Sequence, residues 1–65
     1  LSVAAAKRLN RDLGARAVII VAIGDGGSIR GASWAREYGE CAAFGKVLDA
    51  IVDRLEAGDI EVPDA

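Results

Sequence analysis

The chain has no histidine and a single cysteine, Cys41. Without an imidazole, one chain cannot form a Ser–His–Asp triad, a Cys–His pair or a histidine-ligated zinc centre, and a lone thiol makes no internal disulfide. Long apolar runs are also missing. A membrane span needs ~18 apolar residues; the longest run here, Ala17 to Ile23, ends after seven residues between Arg16 and Gly24-Asp25. Proline occurs once, as Pro63 in the tail. At 65 residues the chain has no room for a second domain, and a chain this short hides only roughly 60% of the surface its unfolded form exposes. What is present, 52% hydrophobic and 28% charged residues, is the balance of a folded domain rather than a disordered segment.

Charge is divided unevenly about Arg36. Residues 1 to 36 carry Lys7, Arg8, Arg11, Arg16, Arg30 and Arg36 against Asp12 and Asp25, a balance of +4. Residues 37 to 65 carry Lys46 and Arg54 against Glu37, Glu40, Asp49, Asp53, Glu56, Asp59, Glu61 and Asp64, a balance of −6, which together give the net charge of −2. Such polarity favours association between copies or leaves a cationic surface for an anionic ligand. The chain opens on Leu1 in place of methionine, which points to residues once upstream. No leader pattern is visible and the unpaired thiol suits a reducing compartment, so a cytoplasmic, soluble protein is expected.

Hydrophobic spacing sets out four elements. Val3, Ala6, Leu9 and Leu13 recur at intervals of three and four, predicting a helix from Val3 to Leu13 with Ser2 as N-cap and Gly14 as its stop. Lys7, Arg8 and Arg11 fall on its other side, with Arg8 and Asp12 spaced for an ion pair. Arg16 to Ile23 is dense in β-branched residues without polar alternation, predicting a strand apolar on both faces. Gly24-Asp25-Gly26-Gly27 signals a tight reversal, and Ser28 to Ala35 reads as the return strand, with Arg30, Ala32 and Trp34 on one face and Ile29, Gly31 and Ser33 on the other. Gly31 marks a bulge or a place where another backbone or a ligand comes close. From Glu40 to Ala57 the helical period returns through Cys41, Phe44, Leu48, Ile51 and Leu55, and Gly58 ends it.

The expected fold class is therefore α+β: a helix-strand-strand-helix domain over residues 1–58, a β-hairpin packed against helices, followed by an acidic tail over residues 59–65. A two-stranded ribbon is marginal in water. The sheet is expected to be completed by homo-oligomerisation, the hairpins of two copies joining edge to edge or stacking face to face in a dimer or higher even assembly.

Recognition chemistry concentrates between residues 30 and 38. Arg30 and Arg36 can clamp a phosphate, Trp34 and Tyr38 offer ring faces, and Ser33 can donate to an oxygen. Gly26 and Gly27 add backbone N–H donors, although their spacing matches neither a Walker loop nor a dinucleotide fingerprint. The candidate ligand-binding set is Arg30, Ser33, Trp34, Arg36, Gly26 and Gly27. Cys41 reads as a small residue of the apolar stripe, and Asp49 and Asp53 as carboxylates of a solvated helix face. No cofactor, metal or catalytic residue is indicated.

Residues 17 to 55, with Ala32-Ser33-Trp34 ending a strand and Glu40-Cys41 opening a helix, resemble small phage- or prophage-encoded accessory proteins. That resemblance implies an oligomeric sponge of the anti-defence kind, sequestering a nucleotide signal. The leading expectation is a non-enzymatic homo-oligomer that captures a small anionic ligand, of the nucleotide class, at a subunit interface. The alternatives are a protein-interaction or regulatory module that binds a host protein, and a nucleic-acid-binding accessory protein. Overall acidity and the lack of a basic recognition helix weigh against nucleic acid.

Overall fold

The computed structural model describes residues 2–63. Its elements run α1 (Val3–Leu13), β1 (Ala17–Ile23), β2 (Ile29–Ala35) and α2 (Tyr38–Ala57), the α+β order that the spacing predicts. Asp64 and Ala65, the end of the expected tail, lie outside the described residues.

Each helix begins and ends for a local reason. Ser2 Oγ accepts from the Ala5 N–H at 3.2 Å, which satisfies one of the free donors of the first turn of α1. Gly14 closes that helix with φ +62°, a left-handed conformation that glycine adopts without a β-carbon clash. α2 starts two residues earlier than the apolar period predicts, because Tyr38 and Gly39 carry no periodic signal; Glu37 caps it through backbone geometry alone. Gly58 ends it in the same left-handed manner as Gly14.

β1 and β2 pair antiparallel without a bulge, from Ala17 opposite Ala35 to Ile23 opposite Ile29. The reversal uses only one of its three glycines in a left-handed conformation. Gly24 pairs with Ser28, its N–H donating to the Ser28 carbonyl at 2.8 Å, and the loop between them has three residues. A three-residue loop needs a single left-handed position, and Gly27 supplies it at φ +83°.

The helices lie on opposite faces of this ribbon. Gly31 faces α2, since a β-carbon there would meet Leu48; alternation places Ile29 and Ser33 on the same side. Trp34 faces α1, with the Lys7 ammonium 5.2 Å from its ring centre. The two helices do not touch each other, and both sit chiefly over β2. Each face of the hairpin thus carries a helix, set over β2 more than over β1.

Burial is shallow. Among the described residues the buried apolar ones are Ala6, Ala32 and Ala35, and no large side chain is fully enclosed. The stripe Cys41, Phe44, Leu48, Ile51 and Leu55 turns inward on α2 as expected, yet each residue is only half-buried. On α1 the inward face centres on Ala6 and Asn10 instead of the leucines: Leu9 is 38% and Leu13 65% exposed. The ion pair is also elsewhere. Arg8 and Asp12 form none, whereas Arg16 joins Glu40 across the start of β1 and the first turn of α2. No helix among the described residues is long and apolar enough to cross a membrane.

Candidate functional site

The corner where α1 turns into β1 is built around Asn10. Its backbone carbonyl accepts from the Ala15 N–H at 3.1 Å, and its side-chain Nδ2 donates to the Ala15 carbonyl at 3.0 Å. These bonds fix the corner from both sides and hold Asn10 at 5% exposure. Its Oδ1 is buried and has no hydrogen-bond partner among the described residues.

Against this corner lies a cleft of about 380 Å³, lined by Lys7, Asn10, Arg11, Gly14, Ala15, Trp34 and Arg36. Three of those side chains are cations and none is an acid. Lys7 and Arg11 stand one helical turn apart on α1 and project together. Trp34, at the end of β2 away from the hairpin tip, supplies a half-buried indole. Lys7 lies over that ring, so its ammonium is held at the wall of the cleft by a cation–π contact. Arg36 follows the strand, with its N–H fixed to the Arg16 carbonyl at 2.9 Å. A planar group with negative charge would find both a ring face and charge-assisted donors here.

The residues expected from sequence do not converge on one place. Trp34 and Arg36 line the cleft together. Arg30 shares the Trp34 face by alternation but sits toward the hairpin tip and does not line it. Ser33 points to the α2 side. Gly26 and Gly27 lie at the tip, about 20 Å of strand away from Trp34, and the Gly27 N–H is already used by the Gly24 carbonyl at 2.9 Å. The sequence reading left out Lys7, Arg11 and Asn10. Two cations at i and i+4, and a polar residue on the inward helix face, are the signals that could have found them.

A second cleft, about 370 Å³, opens on the other face between β2 and α2, lined by Ile29, Gly31, Leu48, Asp49, Val52 and Asp53. It is acidic where the first is basic. Among the described residues no group of three or more metal-ligating side chains gathers. Cys41, at the first turns of α2, donates from Sγ to the Ala35 carbonyl at 3.4 Å, which ties the helix to the outer edge of β2. Arg16 reaches Glu40 through Nε at 3.0 Å and also through Nη2, and its guanidinium lies 5.7 Å from the Phe44 ring centre. The Arg16 hydrogen bond holds the Glu40 carboxyl below its ordinary value; burial opposes this, and the charges of Arg16 and Arg36 add to it.

Comparison with protein-family models, with curated proteins and with solved structures finds no match to this chain.

Proposed function

We propose that this chain is a non-enzymatic, oligomeric binding protein that holds a small planar anion, of the nucleotide class, in the cleft between α1 and the end of β2. The observation that carries this reading is the convergence of Lys7, Arg11 and Arg36 around the indole of Trp34 without an acidic side chain in the lining. Stacking on an aromatic face is worth about 1–3 kcal/mol per base, and guanidinium donors match phosphate oxygens in pairs. The reading asks no bond-breaking chemistry of the site. Its nucleotide class also agrees with the resemblance of residues 17–55 to phage accessory proteins of the sponge kind.

Trp34 is the chain's one tryptophan, so its emission reports directly on the cleft. Titration with inorganic phosphate and with mono-, di- and cyclic nucleotides should give saturable quenching with a nucleotide and a weaker response to phosphate, both reduced by added salt. Flat emission across the series, alongside a stable complex with a host protein, would replace this reading with that of an interaction module.

A further inference from the structure

We propose that the outer edge of β1 pairs antiparallel with β1 of a second copy, across a two-fold axis at Ile20, to give a four-stranded β2-β1-β1-β2 sheet. The proposal goes beyond ligand capture: it specifies how copies meet, and it stands whether or not the cleft binds a nucleotide.

The accessible surface argues that a cover is missing. The chain exposes 4862 Å², whereas a compact monomer of its 6.7 kDa would expose ~3900 Å². The excess, about 950 Å², is close to the ~800 Å² that each partner contributes to a standard interface. The Cα radius of gyration, 12.5 Å, likewise exceeds the ~10.7 Å of a compact chain this long. Part of that deficit falls on β1, with the rest spread over exposed side chains of the helices and the tail. Ala17 to Val21 are all only half-buried and Ala22 and Ile23 are exposed, although this is the most apolar segment in the chain. β2, by contrast, buries Ala32 and Ala35 beneath the helices that sit chiefly over it.

The ladder then identifies which backbone groups are free. The pairs Gly24–Ser28 and Arg16–Arg36 are hydrogen-bonded across the hairpin. Antiparallel alternation therefore turns Val18, Ile20 and Ala22 toward β2, and turns the N–H and C=O groups of Ala17, Ile19, Val21 and Ile23 outward. None of these outward groups takes part in the backbone bonds made outside the helices and the ladder among the described residues. The edge has no charge, proline or bulge, the devices that keep edge strands from pairing. The β2 edge is different: Ala35 already accepts from Cys41, and Arg30 is exposed.

An axis at Ile20 sets Ala17 opposite Ile23 and Ile19 opposite Val21, so every outward group meets one of opposite kind. The axis stands perpendicular to the sheet, which places both copies of α1 on one face and both copies of α2 on the other.

The test is sedimentation velocity at tens of micromolar combined with amide hydrogen exchange on the unsubstituted protein. The expected result is a species of twice the chain mass in which the Ile19 and Val21 amides exchange slowly, and faster on dilution. Val21→Pro removes an outward N–H without touching the β1–β2 ladder and should sediment as a monomer with its circular dichroism retained. Should that variant unfold, exchange on the unsubstituted chain decides alone. A monomer throughout, or a dimer whose Ile19 and Val21 amides exchange as freely as coil, overturns the proposal. Trp34 titrations run in parallel separate this outcome from a failure of ligand binding.

Discussion

Leu48 fills the space that a β-carbon on Gly31 would need: its Cδ1 lies 2.6 Å and its Cδ2 3.2 Å from that position. The glycine lets α2 settle against β2 by its leucine, and the Ile20 carbonyl, 3.3 Å from the same point, closes the third side. Gly31→Ala should therefore destabilise the fold by about 1–3 kcal/mol, the usual cost of overpacking. In a domain of this size each kcal/mol lowers the melting temperature by roughly 4–8 °C. Paired with Leu48→Ala, the substitution should cost clearly less, since the obstructing methyls are gone. An equal cost in both backgrounds, measured by urea denaturation, would assign the effect to the backbone rather than to Leu48.

Asn10 should be harder to replace than either leucine beside it. Its Nδ2 is the donor that satisfies the Ala15 carbonyl at the α1–β1 corner. Asn10→Ala leaves that carbonyl without its partner and should cost about 1–3 kcal/mol. Asn10→Asp should cost more at neutral pH, because it sets a buried carboxylate against a carbonyl oxygen. Part of the loss should return in acid, where the protonated carboxyl can donate again. Leu13→Ala, at a site 65% exposed, should change the denaturation midpoint little. A larger effect at Leu13 than at Asn10 would mean that the corner does not depend on the amide.

The element order and the inward stripe of α2 were legible because period and capping residues are local signals: Ser2, Gly14 and Gly58 mark their helix ends without help from tertiary structure. Gly31 was legible only in part: a glycine inside a strand signals a close approach, but what approaches is the Leu48 side chain, neither the backbone nor the ligand that the sequence suggests. Which helix covers which side of the hairpin was not legible. Val18 to Val21 are apolar on both faces, so the pattern carries no preference for either. The same ambiguity blurred the site. Arg30, Ser33, Trp34 and Arg36 are near one another in the chain, but alternation along β2 sends Ser33 to the α2 side. Lys7 and Arg11, read as a solvated helix face, reach Trp34 only once α1 has docked. Asn10 was hidden by its leucine neighbours, whose hydrophobicity outweighed their position at the shoulder of the helix.

The Arg16–Glu40 pair gives stability a defined acid dependence. The hydrogen bond from Arg16 lowers the Glu40 carboxyl in the folded chain below its ordinary value. The unfolded chain therefore binds the proton more readily. The stabilisation is fully present above the ordinary carboxyl value and is lost as pH falls through the lower, folded-state value. Glu40→Gln should flatten this part of the acid limb and lower the neutral midpoint by the same amount, a small one since Arg16 is exposed and screened, so that the two proteins converge in acid. Denaturation midpoints followed from neutral to acid pH, with and without salt, check this. An acid limb as steep in Glu40→Gln as in the unsubstituted protein would place the sensitivity in other carboxylates.

Charge at the cleft, not charge on the strand, should govern ligand affinity. Lys7, Arg11 and Arg36 line the space beside Trp34, while Arg30 stands on the same sheet face closer to the hairpin tip. A hydrogen bond to a charged group contributes about 1.5–3 kcal/mol. Neutralising Arg11 or Arg36 by alanine should therefore weaken nucleotide quenching of Trp34 by roughly 10- to 100-fold. Lys7→Ala should weaken it too, and should also shift the emission of the free protein by removing the cation from over the indole ring. Arg30→Ala and Ser33→Ala should leave the isotherm within about twofold, a change worth less than half a kcal/mol. The pattern across the five variants matters more than any one of them. Equal losses from Arg30→Ala and Arg11→Ala would indicate a diffuse attraction to the basic half of the chain, whereas a loss confined to the lining cations places the ligand against Trp34.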